Sequence, residues 1–185
     1  MFIRSLTPEE RGRVFREHAV PDLHPIDIKS FDYMEMLRRQ GILRVLGLFE
    51  DTELLGYAYI DRIPGLSVQL LDLFAVTRGH RGEGIGSRFL KLLTEQERFS
   101  PALIAEVEDP DAAEGDEQVT DARRIAFYER TGWHDTGVKV RVAQYRCRLY
   151  APSETLNEGT VRRDMQQLYH AVVGAEYTEK NIELY

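Results

Sequence analysis

The stretch LLDLFAVTRGHRGEGIGSRFL, residues 70–90, combines three features that decide the fold of this chain. Its first seven residues are apolar at nearly every position, as in a strand that is covered on both faces. Four glycines then occur within eight residues, and Ile85 and Phe89 begin an apolar repeat at helical spacing. The stretch therefore predicts a strand, a glycine-rich turn and a helix.

A turn of this kind is suited to binding a phosphate. The first backbone N–H groups of a helix have no partner within it, and the helix dipole adds about half a positive charge there. Glycines let an anion approach the backbone closely and can adopt a positive φ. Arg78, His80 and Arg81 add cationic character to the turn.

Two common nucleotide motifs do not match the turn. The loop that binds nucleoside triphosphates ends in Gly-Lys-Ser/Thr, whereas Gly86 is followed by Ser87 and Arg88. The dinucleotide fingerprint is G-x-G-x-x-G, whereas the glycines here have the spacing G-x-x-G-x-G-x-G. Both nucleotide interpretations are therefore weak, and a nucleotide-dependent enzyme is the alternative that tight binding of ATP or NAD would indicate.

Composition narrows the remaining classes of function. The 185 residues fit one domain with an appendage, and the net charge of −7 argues against a nucleic-acid binder, which needs a basic face. Cys147 is the only cysteine, so no internal disulfide can form, and the histidines lack zinc-site spacing. Without a signal-like N-terminus or a long apolar run, we expect a cytoplasmic protein with no membrane partner and no metal.

The pattern along the chain predicts alternating helices and strands. We expect strands at residues 2–5, 42–49, 54–60, 67–76, 102–108, 133–139 and 143–150. We expect helices from Thr7 to about His18, from Ser30 to Gly41, from Ile85 to about Phe99, from Asp121 to Thr131, and in the tail up to Gly174. Pro21 and Pro25 mark a loop, and the acidic residues 109–120 are predicted to form a second one.

The turn and a later segment together resemble a known family. Residues 81–86, RGEGIG, have the form R-x-x-G-x-G, and with LLDLFAV before them they resemble the coenzyme A-binding segment of the GNAT superfamily of N-acetyltransferases. AEVE at residues 105–108 and DARRIAFYERTGW at residues 121–133 are similar to the next strand and helix of that family, which carries a Y-x-x-x-G-(F/W) pattern. The resemblance covers about residues 1–150.

The resemblance implies an α/β fold with a mixed, mostly antiparallel sheet. In this fold a central pair of parallel strands splays apart at the cofactor site, and helices cover both faces of the sheet. We expect a GNAT acetyltransferase domain at residues 1–150 and a C-terminal extension at residues 151–185 with one amphipathic helix.

The resemblance also implies acetyl-coenzyme A as cofactor and assigns residues to it. A strand segment pairs with pantetheine, and the backbone of the turn holds the pyrophosphate. These residues are Phe74, Ala75 and Val76 for pantetheine, and Arg81, Gly82, Gly84, Ile85, Gly86 and Ser87 for the pyrophosphate.

The implied reaction is direct attack of an amine on the thioester, and it needs an acid for the leaving thiolate. Tyr128 matches the tyrosine of the family's helix, and a phenol can protonate a thiolate. The alternative is that Phe127 and Tyr128 are ordinary core aromatics.

The reaction also needs a base, because an alkyl amine has a pKa near 10 and must lose a proton. Glu106 is our candidate, since a carboxylate within so apolar a strand is costly unless it has a use or a partner. Glu108, on the same side of the strand, and Asp72 are alternatives. The competing interpretation is a strand-end glutamate in solvent or paired with Arg123 or Arg124.

The acceptor, the oligomeric state and the class of function each have more than one alternative. The acceptor is expected to be an amine of a small molecule or a peptide. The apolar stripe of the tail helix fits packing on the domain or on a second subunit, so a homodimer is one alternative. A non-catalytic coenzyme A-binding regulatory module on the same fold is the alternative to an enzyme.

Overall fold

A computed structural model describes residues 1–22, 29–153 and 156–185, so Pro25 of the predicted loop lies outside the described residues. Its strands are β1 (Phe2–Ser5), β2 (Leu43–Glu50), β3 (Glu53–Arg62), β4 (Val68–Val76), β5 (Ala102–Glu108), β6 (His134–Val142), β7 (Tyr145–Ala151) and β8 (Ile182–Leu184). Its α-helices are α1 (Pro8–Val14), α2 (Val20–Asp22), α3 (Phe31–Arg39), α4 (Ile85–Gln96), α5 (Gly115–Arg130), α6 (Glu158–Val173) and α7 (Ala175–Asn181).

The chain divides into two units, and β4 contributes to both. The first unit holds residues 1–62 and 72–93, and the second holds residues 63–71 and 94–185. The β4–β5 pair is parallel, whereas the pairs of β2 with β1 and β3, and of β7 with β5 and β6, are antiparallel. This is the mixed, mostly antiparallel sheet that the sequence predicts.

The first unit is built on an antiparallel meander of β1, β2 and β3, followed by the second half of β4. Leu46, Leu48, Tyr57 and Ile60 are fully buried in it. Thr7 caps α1 with a reciprocal capping box to Glu10, as its sequence predicts. The first helical turn is thereby fixed directly after β1.

The sheet of the second unit begins with Val68–Leu70 of β4, which pairs with Ala102–Ile104 of β5. The strand order from there is β5, β7, β6 and β8, each pair antiparallel. Trp133, Leu149 and Tyr150 are buried among the apolar residues of this unit. Gly132, at φ +86°, follows directly after the predicted helix end at Thr131 and leads into β6.

The acidic segment after β5 corrects a prediction. The sequence predicts a loop at residues 109–120 and a helix that begins at Asp121, but α5 begins at Gly115. Asp116 and Glu117 lie in its first turn, where the helix dipole favours negative charge. Thr120, which directly precedes the predicted helix, is an interior residue of α5, and its hydroxyl donates to the Asp116 carbonyl at 2.9 Å.

The C-terminal tail contains more structure than the single predicted helix. Helix α6 has Asn157 as its N-cap and ends at Gly174, whose φ is +86°. Its stripe of Val161, Met165 and Leu168 is fully buried within the second unit. Beyond Gly174 the chain forms α7 and then β8, which pairs with β6. Among the described residues, none of the helices has the length and apolar content that a bilayer crossing requires.

Candidate functional site

The glycine-rich turn lies between β4 and α4, in the first unit. The chain leaves β4 at Val76, forms a short 3-10 turn at Arg78–His80 and enters α4 at Ile85. Gly82 and Gly84 have φ of +88° and +75°, which L side chains rarely adopt. A Cβ added to either would meet no atom within 4 Å, so the space beside the backbone is open.

The N–H groups of this turn are available to a ligand. Among the described residues, no hydrogen bond uses the backbone N–H of residues 81–87. Those N–H groups precede or begin a twelve-residue helix, whose dipole favours an anion. The turn therefore fits a pyrophosphate, and the predicted residues Gly82, Gly84, Ile85, Gly86 and Ser87 are the ones brought together there.

The arginine side chains of the turn are anchored to protein groups. Arg78 Nε donates to the Asp22 carboxylate at 2.7 Å, and the Arg81 guanidinium binds the other oxygen of the same carboxylate. Arg81 Nε also donates to the Val76 carbonyl at 3.0 Å. These bonds tie the turn to α2 and to the end of β4, so what Arg81 offers a ligand is its backbone N–H.

The cofactor residues predicted on β4 lie directly ahead of the turn. The ring of Phe74 packs against Phe89 of α4, with ring centroids 4.8 Å apart. The Thr77 N–H donates to the Leu55 carbonyl of β3 at 2.9 Å and fixes the end of the strand. The segment from Phe74 to Val76 is half-buried, as a strand segment that also meets a ligand would be.

Tyr128, the predicted acid, lies on α5 in the second unit. Its ring packs against Trp133 and Tyr150, with centroids 5.4 and 6.2 Å away. Burial, and secondarily the charge of Glu108, raise the pKa of Tyr128, so its hydroxyl keeps its proton at neutral pH. Among the described residues its hydroxyl makes no hydrogen bond, which leaves it able to donate to a ligand.

The strand carboxylates of β5 have different partners. Glu106 and Glu108 face the same side, opposite Leu149 and Cys147 of β7. Glu108 binds Arg124 of α5, with 2.6 Å between carboxylate and guanidinium. The competing interpretation of the strand glutamate thus describes Glu108, whereas Glu106 accepts a hydrogen bond from the Tyr169 hydroxyl.

Asp72, the third candidate base, is held in an ion pair within the first unit. Both of its oxygens accept hydrogen bonds from Lys29 Nζ at 2.8 Å. Lys29 also lies 3.9 Å from the buried carboxylate of Asp61. A base at Asp72 would have to act in competition with this bound ammonium group, which disfavours it.

The sequence also matches a protein-family model. The model of the Acetyltransferase (GNAT) family matches residues 9–133, about two thirds of the chain. The chain belongs to the GNAT acetyltransferase family. The prediction of the family from the turn and the Tyr128 segment is therefore confirmed, as is acetyl-coenzyme A, the usual cofactor of GNAT enzymes.

Solved structures of GNAT proteins have the same fold. A GNAT-family protein from Bacteroides thetaiotaomicron matches with TM-score 0.75 and 19% identity, over 95% of this chain and 99% of that one. The ribosomal-protein-alanine N-acetyltransferase from Brucella melitensis gives 0.57 and 21%, over 82% and 98%. Spermidine N-acetyltransferase from Vibrio cholerae, solved with CoA and spermine, gives 0.58 and 14%, over 84% and 97%. No curated protein sequence matches the chain significantly.

One residue of this GNAT chain that contacts a predicted site residue was missed from the sequence. Tyr169 lies on α6, in the tail that the resemblance did not cover, and it bonds Glu106. The two residues are 63 positions apart, so no local spacing signals the contact. The apolar stripe of α6 can be identified from the sequence, but the sequence does not show which residue Tyr169, beside that stripe, contacts.

Proposed function

We propose that this GNAT protein transfers the acetyl group of acetyl-coenzyme A to an amine of a small molecule or peptide, by direct attack. The observation that carries the proposal is the row of unused backbone N–H groups at residues 81–87, which include the left-handed Gly82 and Gly84 and the first residues of α4. Bound there, acetyl-coenzyme A would supply an acetyl group activated as a thioester.

In this proposal the chain's own residues bind the cofactor and move two protons. The N–H groups of the turn hold the pyrophosphate. Glu106 takes a proton from the acceptor amine, directly or through water, as the amine nitrogen bonds to the acetyl carbon. Tyr128 gives its proton to the sulfur as the carbon–sulfur bond breaks. Each proton transfer of this kind is typically worth about 10²–10⁴ in rate.

The environments of the two groups support this division of roles. The pKa of Tyr128 is raised, so the phenol stays protonated and can act as an acid. Glu106 accepts a hydrogen bond from the Tyr169 hydroxyl. Glu108 and Asp72 each bind a cation that would compete with the amine proton. The proposal of an amine acceptor is supported by the structural neighbours, which include a ribosomal-protein-alanine N-acetyltransferase and a spermidine N-acetyltransferase. A cytoplasmic location and a homodimer stay predictions.

A thiol-release assay with a panel of amines tests the proposal. The panel contains a polyamine, an aminoglycoside and a peptide with a free N-terminus. We expect amine-dependent thiol release by the wild-type chain, with kcat lowered about 10²–10⁴-fold in Tyr128→Phe and binding of coenzyme A unchanged. Tyr145→Phe, which removes a tyrosine hydroxyl on β7, is the matched control and should keep the kcat of the wild type.

The same assay separates an enzyme from a regulatory module on this fold. Coenzyme A binding with no turnover of any amine, in the wild type and the variant alike, would support the module. Equal turnover in the wild type and Tyr128→Phe would instead show that the chain is an enzyme in which Tyr128 is not the acid.

A further inference from the structure

We infer that Tyr169 of α6 is a positioning residue for Glu106, so that the C-terminal tail is required for the proton transfer as well as for packing. The inference rests on the proposed function, in which Glu106 is the base. It assigns a role in the reaction to a segment that lies beyond the residues matched by the family model, 9–133.

The contact joins a buried donor to a half-buried carboxylate. The Tyr169 hydroxyl donates to Glu106 Oε1, and the tyrosine is only 4% exposed. A carboxylate has two oxygens that can accept hydrogen bonds, and a donor fixed on one of them limits rotation of the group. The other oxygen is then held in a defined direction, as a general base requires.

Tyr169 can hold this position because α6 is anchored on both sides of it. Near the middle of the helix, the buried Asp164 carboxylate accepts a hydrogen bond from the Ser67 N–H at 2.7 Å, just before β4. Near its end, Val172 is buried, and Gly174 stops the helix. The tyrosine therefore comes from a fixed helix, and its direction is set by packing that is independent of Glu106.

Negative charge near Glu106 gives the neutral Tyr169 donor a role in the ionisation of the carboxylate. Two titratable groups lie beside Glu106 itself, Cys147 on β7 and Tyr169 on α6. Its strand neighbour Glu108 faces Asp121, Arg124 and Tyr128 of α5. Glu108 and Asp121 are further carboxylates, whose charge disfavours another negative charge nearby. A hydrogen bond donated to the charged form of a carboxylate acts in the opposite direction, because it favours that form.

The test is the pH dependence of kcat/KM in Tyr169→Phe and in the wild type. The same amine is used throughout, so that its own ionisation affects both proteins equally. Loss of the donor should shift the acid limb, the fall of kcat/KM at low pH, to a pH about one unit higher, as expected for a hydrogen bond to a charged group. The KM for acetyl-coenzyme A should not change. Tyr177→Phe removes an exposed hydroxyl from the same tail and should leave the limb in place.

Two further variants separate positioning from stability. Val161→Ala loosens the packing of α6 but keeps the hydrogen bond, so it should lower the melting temperature without moving the acid limb. In a Glu106→Gln background, Tyr169→Phe should have no additional effect on kcat. Losses that multiply in the double variant would overturn the inference, because the two side chains would then act independently.

The outcomes also separate this inference from the function on which it rests. If the wild type acetylates amines but Tyr169→Phe does not shift the acid limb, only the inference about Tyr169 is refuted. If the wild type binds coenzyme A but acetylates no amine, the proposed function is refuted together with the inference.

Discussion

Replacing Gly84 with alanine separates the conformational role of the turn from its role in binding. Gly84 has φ +75°, and a non-glycine residue in that region costs about 1–2 kcal/mol. A Cβ there meets no protein atom within 4 Å, so the fold should lose no more than this. For a chain of this size the melting temperature should fall by about 2–8 °C.

The effect on coenzyme A binding should be larger than the effect on stability. The added methyl group occupies the open space beside the unused N–H groups, which is where a phosphate must approach. Loss of one charge-assisted hydrogen bond costs about 1.5–3 kcal/mol, so calorimetry should show the Kd for coenzyme A rising at least about tenfold.

Gly41→Ala is a matched control for the backbone strain. Gly41 has φ +76°, also has no atom within 4 Å of an added Cβ, and follows α3 in the same unit. Both variants should therefore lose the same stability, and only Gly84→Ala should lose affinity. Equal affinities in the two variants would refute the assignment of the turn to the pyrophosphate.

Three further predictions concern stability. Glu10→Gln should lower the free energy of unfolding by about 1–2 kcal/mol at neutral pH, because the hydrogen bond from the partly exposed Arg4 lowers the pKa of Glu10 to about 2. In urea titrations, the difference between the variant and the wild type should shrink as the pH falls from 4.5 towards 2. Leu168→Ala should cost about 2–5 kcal/mol in the same assay, because Leu168 is fully buried on α6. Asp109→Asn should cost about 1–3 kcal/mol: burial opposes ionisation of Asp109, but hydrogen bonds led by Arg148 outweigh it and lower its pKa, so this contribution is present near neutral pH and lost in acid.

Each of these predictions has a control at an exposed position. Glu9→Gln, beside Glu10, should leave the acid dependence unchanged, and Leu92→Ala should cost far less than Leu168→Ala. Asp111→Asn removes a carboxylate that is 76% exposed although it also binds Arg148. A loss at Asp111 as large as that at Asp109 would contradict the role given to burial.

The elements with strong local signals were predicted well from the sequence. Thr7 and Ser30 cap their helices, Gly132 and Gly174 lie where helices end, and the strand at residues 102–108 has the predicted bounds. In each case a side-chain hydrogen bond, a positive φ or an apolar run fixes the element locally. The glycine turn belongs to the same class, because its chemistry is carried by consecutive residues.

The features that were missed depend on context. The acidic residues after β5 have a loop-like composition, but in the first turn of α5 their charges are favoured by the helix dipole. The tail strand β8 exists because it pairs with β6, which is far from it in sequence. The contact between Tyr169 and Glu106 likewise depends on packing of α6 within the second unit, which no local pattern reveals.

The most direct measurement on the central claim is a titration with acetyl-coenzyme A followed by addition of an amine, recording bound cofactor, released thiol and acetylated amine together. We expect saturable binding, followed by one thiol released for each amine acetylated, with both steps weakened in Gly84→Ala and neither weakened in Gly41→Ala. Absence of binding by the wild-type chain, or thiol release that does not depend on the amine, would contradict it.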